Sequence, residues 1–122
     1  MKKTTLIARY LLALMLVIFG LNKFMGFIEF PPLEGFASEY MAVIAGSYIL
    51  KSMGVVYLIS ALMLATNKAV GLATVLVAPI AFNALMFHLT LDPANMAGAV
   101  ALSVLTALVM VGNAEKYKGL LN

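Results

Sequence analysis

An all-α fold, a four-transmembrane-helix bundle with an interfacial amphipathic helix between the first and second spans, is what this sequence predicts, on three observations. The chain has 122 residues, of which 64% are apolar and only 11% charged. The apolar residues fall in four runs separated by short polar breaks, each about long enough to cross the ~30 Å hydrocarbon core of a bilayer. The mean hydropathy is +1.05 for a mass of 13.0 kDa. A soluble globule of that size has too much surface for its volume to hide so much hydrocarbon, so lipid must be the solvent. A single membrane domain, 1–122, accounts for the chain, with spans at about 6–24, 50–66, 69–89 and 96–111 and an interfacial segment at 33–47.

The first run follows Lys2, Lys3 and Arg9, a pattern shared with secretory signal peptides. Asn22, Lys23, Phe24 and Met25 stand where a small-x-small cleavage site would be needed, so the run reads as a retained helix. Pro31 and Pro32 end any preceding helix and suit the start of a new one. From Leu33 to Ser47 the period is helical, with Phe36, Tyr40, Val43, Ile44 and Ser47 on one face and Glu34, Ser38 and Glu39 towards another, as in a helix lying at the interface. Lys51 and Lys68 are separated by roughly 25 Å of helix, so both ammonium groups reach headgroup layers by snorkelling. Asn67-Lys68 is a short turn. Thr90 to Ala94 forms a second, after which Asp92 or Asn95 caps the fourth helix with Pro93 in its permissive first turn. Gly112-Asn113 ends that helix, and Lys116, Tyr117 and Lys118 suit an interfacial exit.

Four spans leave both termini on one side. Lys2, Lys3, Arg9, Lys68, Lys116 and Lys118 fall on that side, against Lys23 and Lys51 opposite, which predicts an inner (cytoplasmic) membrane protein with N- and C-termini in the cytoplasm. A net charge of +3 spread this way makes no basic stripe, so a nucleic-acid partner is not expected. There is no cysteine and a single histidine, which excludes disulfides, thiol chemistry and Cys-ligated clusters and leaves too few ligands for a transition-metal site. Close helix contact in lipid runs through small residues. Ala94 with Gly98, Ala97 with Ala101, and the row Ala99, Ser103, Ala107 mark the fourth helix as the expected packing seam.

Polar groups held near hydrocarbon are costly and tend to face the bundle interior, so they are where any chemistry should sit. Five form a candidate cluster on the far side: Asn22 and Lys23 at the end of the first span, and Asn83, His88 and Asp92 in the far half of the third span and the turn beyond. His88 and Asp92 are four apart and share a face, a geometry that suits either a proton relay or a hydrogen-bonded helix end. Pro79 deprives the Val75 carbonyl of its donor and predicts a kink one turn before Asn83. Lys23 is placed to pair with Glu29, Glu39 or Asp92 at the headgroup layer. The nine methionines read as soft packing.

Two stretches resemble a known family. Gly20-Leu21-Asn22-Lys23-Phe24 leading to Phe30-Pro31-Pro32, and Ala78-Pro79-Ile80 through Asn83, Leu85-Met86-Phe87-His88-Leu89 and Leu91-Asp92-Pro93, are similar to the first and third helices of the small DoxX-like membrane proteins. With Tyr48 and the Asn67-Lys68 break the likeness covers nearly the whole chain. It implies a four-helix bundle in the cytoplasmic membrane and, for some relatives, association with quinone-linked sulfur oxidation or a thiol-redox complex. Distant eukaryotic relatives act as assembly factors or chaperones. The family often carries an acidic residue in the second helix, where this chain has Tyr57.

Two functions of different class follow as expectations. The first is a non-catalytic membrane subunit or assembly factor, docking a protein partner or a second copy of itself. The second is an oxidoreductase-associated subunit that binds quinone between helices, with His88 and Asp92 handling protons while a partner supplies electrons. Lacking a redox-active residue or covalent cofactor motif, the chain is not expected to be catalytic alone. A transporter is a weaker third reading, because few intramembrane charges make a poor ion path.

Overall fold

The computed structural model describes residues 2–121, and they form an all-helical chain. α1 spans Lys2–Met25, α2 Gly35–Ala45, α3 Tyr48–Ala65, α4 Val70–Leu91, α5 Ala97–Gly112 and the short α6 Lys118–Leu121, with 3-10 turns at Pro93–Asn95 and Ala114–Tyr117. Three helices, α1, α3 and α4, are long and apolar enough to cross a membrane. α5 is shorter, and after it the chain bends by 87° into the segment Ala114–Leu120.

The four long helices close into a ring, α1 against α3 and α5, and α4 against α3 and α5. Their shared core is built from Leu12 and Leu16 of α1, Ala61 and Leu64 of α3, Val70, Ala73 and Val77 of α4, and Leu102 and Val109 of α5. Large apolar side chains on the outer faces, such as Ile7, Leu14, Leu62, Phe82 and Val104, are exposed. That inversion of the soluble pattern is what contact with lipid requires, since hydrocarbon outside is as favourable for them as hydrocarbon inside.

The end of the bundle that carries the N-terminus is closed by polar contacts. α3 ends in a Schellman motif: Asn67 adopts φ +56°, the Lys68 N–H donates to the Met63 carbonyl at 2.9 Å and the Asn67 N–H to the Leu64 carbonyl at 3.3 Å. Asparagine tolerates the left-handed region well, so the Asn67-Lys68 break is a helix stop chosen by backbone geometry. Arg9, buried on α1, donates to that same Leu64 carbonyl and lies over the Tyr10 ring at 4.5 Å. Its charge meets the negative end of the α3 dipole. Thr5 packs on Gly112, and Tyr117 shares a hydrogen bond with Thr74 while Lys116 and Tyr117 cover Gly71. The bent terminal segment is therefore folded back beneath α4.

Several boundaries differ from the sequence reading. Pro31 and Pro32 remain in the extended loop, and α2 begins only at Gly35, after Glu34 in an extended conformation. The inward face of α2 is Ala37, Tyr40, Met41 and Ile44, whereas Phe36 and Val43 point outward. Thr90 does not start a turn: its hydroxyl donates to the Met86 carbonyl at 2.7 Å and α4 continues to Leu91. Neither Asp92 nor Asn95 caps α5, whose N-cap is Met96 with no side-chain bond. α4 passes through Pro79 as one continuous element with that proline on its exposed side.

The expected small-residue seam on α5 is corrected in part. Of its members Ala99 is buried and Ser103 half-buried, but Ala97, Gly98, Ala101 and Ala107 are exposed, and a Cβ on Gly98 would meet nothing within 4 Å. The close approach lies instead between α1 and α3. A Cβ on Gly20 would sit 3.1 Å from the Tyr57 Cβ, and one on Gly54 would sit 2.6 Å from the Phe24 ring and 3.2 Å from the Gly20 carbonyl. Two isolated glycines on different helices escaped notice because no spacing within one helix links them.

Two stability changes are expected. Gly54→Val should cost about 1–3 kcal/mol by overpacking, with Gly98→Val near neutral as the control, both read from thermal unfolding in detergent. Arg9→Met should cost about 1.5–3 kcal/mol, the range for a hydrogen bond from a charged group; an unchanged midpoint would show that the Leu64 carbonyl does not need the guanidinium.

Candidate functional site

At the end opposite Arg9 the ring does not close on itself. α1, the loop after it, α2, α3, α4 and the start of α5 surround a partly open cavity of about 680 Å³. The volume falls within the roughly 300–1,000 Å³ usual for small-molecule sites. Most of its wall is apolar, including Met15, Phe19, Leu33, Met53 and Ile80. Ala94, Ala97, Gly98 and Ala99, the small residues expected to form a seam, line it as well. Here their size leaves space.

All five sequence-predicted candidates, Asn22, Lys23, Asn83, His88 and Asp92, line this one cavity, joined by Tyr40, Tyr57 and Asn95. They come from α1, α2, α3, α4 and the turn after α4, so only the packed bundle brings them together. Their local environments divide them into groups already engaged and groups available.

Asn22 is engaged. Its side-chain oxygen accepts the Ile28 N–H at 2.7 Å, and its backbone carbonyl accepts the Gly26 N–H at 2.8 Å. Gly26 takes φ +62°, a conformation that a side chain would resist. Asn22 thus shapes the chain as it leaves α1, and its contribution to the cavity is to hold the wall. Asn83 donates to the Tyr40 hydroxyl at 3.2 Å, and the Tyr40 ring stacks on Phe87 with centroids 5.1 Å apart. This pair fastens α2 across the cavity.

His88 and Asp92 meet through the last turn of α4. The Asp92 N–H donates to the His88 carbonyl at 3.1 Å, while His88 Nδ1 lies 3.4 Å from the Asp92 carboxylate and 3.3 Å from the Asp92 carbonyl. Both neighbours of Nδ1 are acceptors, which assigns the proton of the neutral ring to Nδ1 and leaves Nε2 as the acceptor. Asn95 donates to both carboxylate oxygens of Asp92, at 3.0 and 3.2 Å. A carboxylate held from two sides orients the imidazole as an acid–base group does in a relay. From sequence Asn95 reads only as a cap; its spacing of three from Asp92 is the signal that links the two.

Lys23 does not find the acidic partner expected of it. Among the described residues, the ion pairs are His88 with Asp92 and Lys118 with Glu115. The Lys23 Nζ lies instead over the Tyr57 ring, 5.0 Å from its centroid, and Tyr57 is itself buried. No three His, Cys, Asp or Glu side chains converge as a metal site among the described residues. Arg9 is the charged group whose structural role the sequence did not reveal; its position within the inward row Ala8, Leu12, Ala13 and Leu16 was the signal.

Comparison with protein-family models, with curated proteins and with solved structures finds no match for this chain. The class of the molecule therefore rests on the fold and the cavity: a helical protein with several membrane-capable helices and a largely apolar cavity at one end into which a few polar side chains face.

Asn22→Leu keeps size but removes the acceptor, and should cost about 1–3 kcal/mol by leaving the Ile28 N–H unpaired. Proteolysis of the loop between α1 and α2 in the purified protein checks it: faster cleavage than wild type is expected.

Proposed function

We propose that this is a four-span protein of the cytoplasmic membrane, termini inward, whose far-side cavity holds a quinone-like molecule on behalf of a partner oxidoreductase complex. The observation that carries the reading is the convergence of a relay-type His88–Asp92 pair and apolar walls on one cavity of about 680 Å³. The resemblance to DoxX-like proteins, some of them linked to quinone and sulfur or thiol redox chemistry, points the same way. The orientation follows from the basic residues at the Arg9 end.

The fit is one of size and polarity. An apolar ring with a few oxygens needs mostly hydrocarbon contact plus a small number of hydrogen-bonding groups, which describes this wall. Bound there, a quinone would carry electrons to or from the partner, a capacity the chain itself lacks. The residues of this chain orient the ring, exclude bulk water and move protons. With Nδ1 held by Asp92, the His88 imidazole presents Nε2 for exchange, and Asp92 stabilises the ring when it is charged. Asn83 and Tyr40 offer neutral hydrogen bonds. α2 forms the cover.

A second reading, docking or assembly of a protein partner without a small ligand, is favoured by one feature. Phe27, Phe36 and Tyr48 at the same end are exposed at 53%, 67% and 78%. Exposed aromatics suit a protein interface as well as a headgroup layer.

Purified protein separates the two. A short-chain ubiquinone analogue at a hundredfold excess over its Kd should stabilise the wild type by about 2.7 kcal/mol, and His88→Ala should lose most of that shift while remaining folded. Absence of any shift with quinones of several ring types, together with a stoichiometric co-purifying protein, selects the second reading. A tag after the last residue should be accessible only from the cytoplasm.

A further inference from the structure

The charge on the cavity wall is unbalanced, and the imbalance has a direction. Asp92 is the acidic residue among the lining side chains, and its two oxygens are already engaged by His88 and Asn95. Lys23 is the cationic one apart from what His88 gains on protonation, and it has no carboxylate within reach among the described residues. Glu29, Glu34 and Glu39, the other acids near this end, form no ion pair with it.

Lys23 is also held where it is. Its stem packs against Gly54, where a Cβ would come within 3.2 Å of the Lys23 Cβ, and its ammonium rests on the Tyr57 ring at 5.0 Å. A cation on an aromatic face keeps several N–H donors unspent, since the ring takes no directional hydrogen bond from all of them. A half-buried ammonium beside hydrocarbon gains most from an anionic oxygen, because the low local dielectric strengthens the attraction that bulk water would screen.

We propose that Lys23 is an anion-recognition residue and that the cavity selects an amphipathic molecule with an apolar body and one acidic oxygen, ionised at neutral pH, over its neutral counterpart. The proposal rests on the cavity being a ligand site and adds the charge of its ligand. The acidic oxygen belongs either to a ring, as in a hydroxylated quinone, or to a chain-end carboxylate; the shared chemistry is one delocalised negative charge joined to hydrocarbon. Lys23 binds that oxygen, while the Tyr57 ring and the Gly54 backbone keep the ammonium from swinging outward.

The test uses matched pairs on full-length protein in phosphatidylcholine nanodiscs, whose headgroups carry no net charge. One pair is a 3-alkyl-2-hydroxy-1,4-naphthoquinone and its 2-methyl ether; the other is lauric acid and methyl laurate. Dissociation constants are measured for wild type, Lys23→Met and Lys23→Arg. Wild type should bind the acid of at least one pair about tenfold or more tightly than its neutral partner, the scale of one charge-assisted bond. Lys23→Met should abolish that preference while leaving affinity for the neutral compound intact, and Lys23→Arg should retain it. The pair that shows the preference identifies the body of the ligand. Equal affinity for acid and neutral forms in wild type, or a preference that survives in Lys23→Met, overturns the assignment and leaves the cavity reading standing. Failure of all four compounds to bind overturns both.

Discussion

The close approach of α1 to α3 at Gly20 and Gly54 is the constraint on which the far half of the molecule depends. With no Cβ at either position, the two backbones come near enough for the Phe24 ring to lie on Gly54 and for the Lys23 stem to pass over it. That sets Lys23 above the Tyr57 ring and turns Asn22 towards the loop it secures. In lipid, where burying apolar surface gives no net drive between helices, such backbone proximity is the main source of association. The same contact that joins the helices therefore aims the polar groups.

The two ends of the bundle solve opposite problems. At the Arg9 end three polar groups are taken up locally: the guanidinium by the Leu64 carbonyl, the α3 terminus by its Schellman bonds, the Thr74 hydroxyl by Tyr117. Buried polar groups without partners are expensive, and satisfied ones lock the helices in register. At the other end the chain leaves a space. Small side chains at the start of α5 and a cover helix attached through Tyr40 and Asn83 keep it from filling. The bundle is thus packed shut at one end and hollow at the other.

Much of this was legible in the residues. Helix number and approximate ends follow from hydrophobic run length, which is a local property measured against a fixed bilayer thickness. The His88–Asp92 pair was legible because both lie on one helix turn. The five polar candidates were found by the cost of placing such groups beside hydrocarbon, a rule that needs no knowledge of neighbours. Illegible were the engagement of Asn22 with Ile28, the seating of Lys23 on Tyr57 and the burial of Arg9, since each pairs residues on different elements or across a turn of irregular backbone. Ala97, Gly98, Ala101 and Ala107 of α5 lie outside the packed contact for the same reason: spacing along one helix says which residues share a face, but not what that face meets.

From its order of residues alone, then, this protein was bound to form apolar helices with basic residues gathered towards one end and a few polar side chains at the other, because hydrocarbon solvent enforces helix and expels charge segment by segment. Tertiary structure decided how each helix is rotated about its axis. That rotation made α1 and α3 the tight pair, turned Ala97 and Gly98 of α5 onto an open space and brought polar groups from five parts of the chain to one cavity, since helix rotation is set by packing between distant segments and by nothing within a single one.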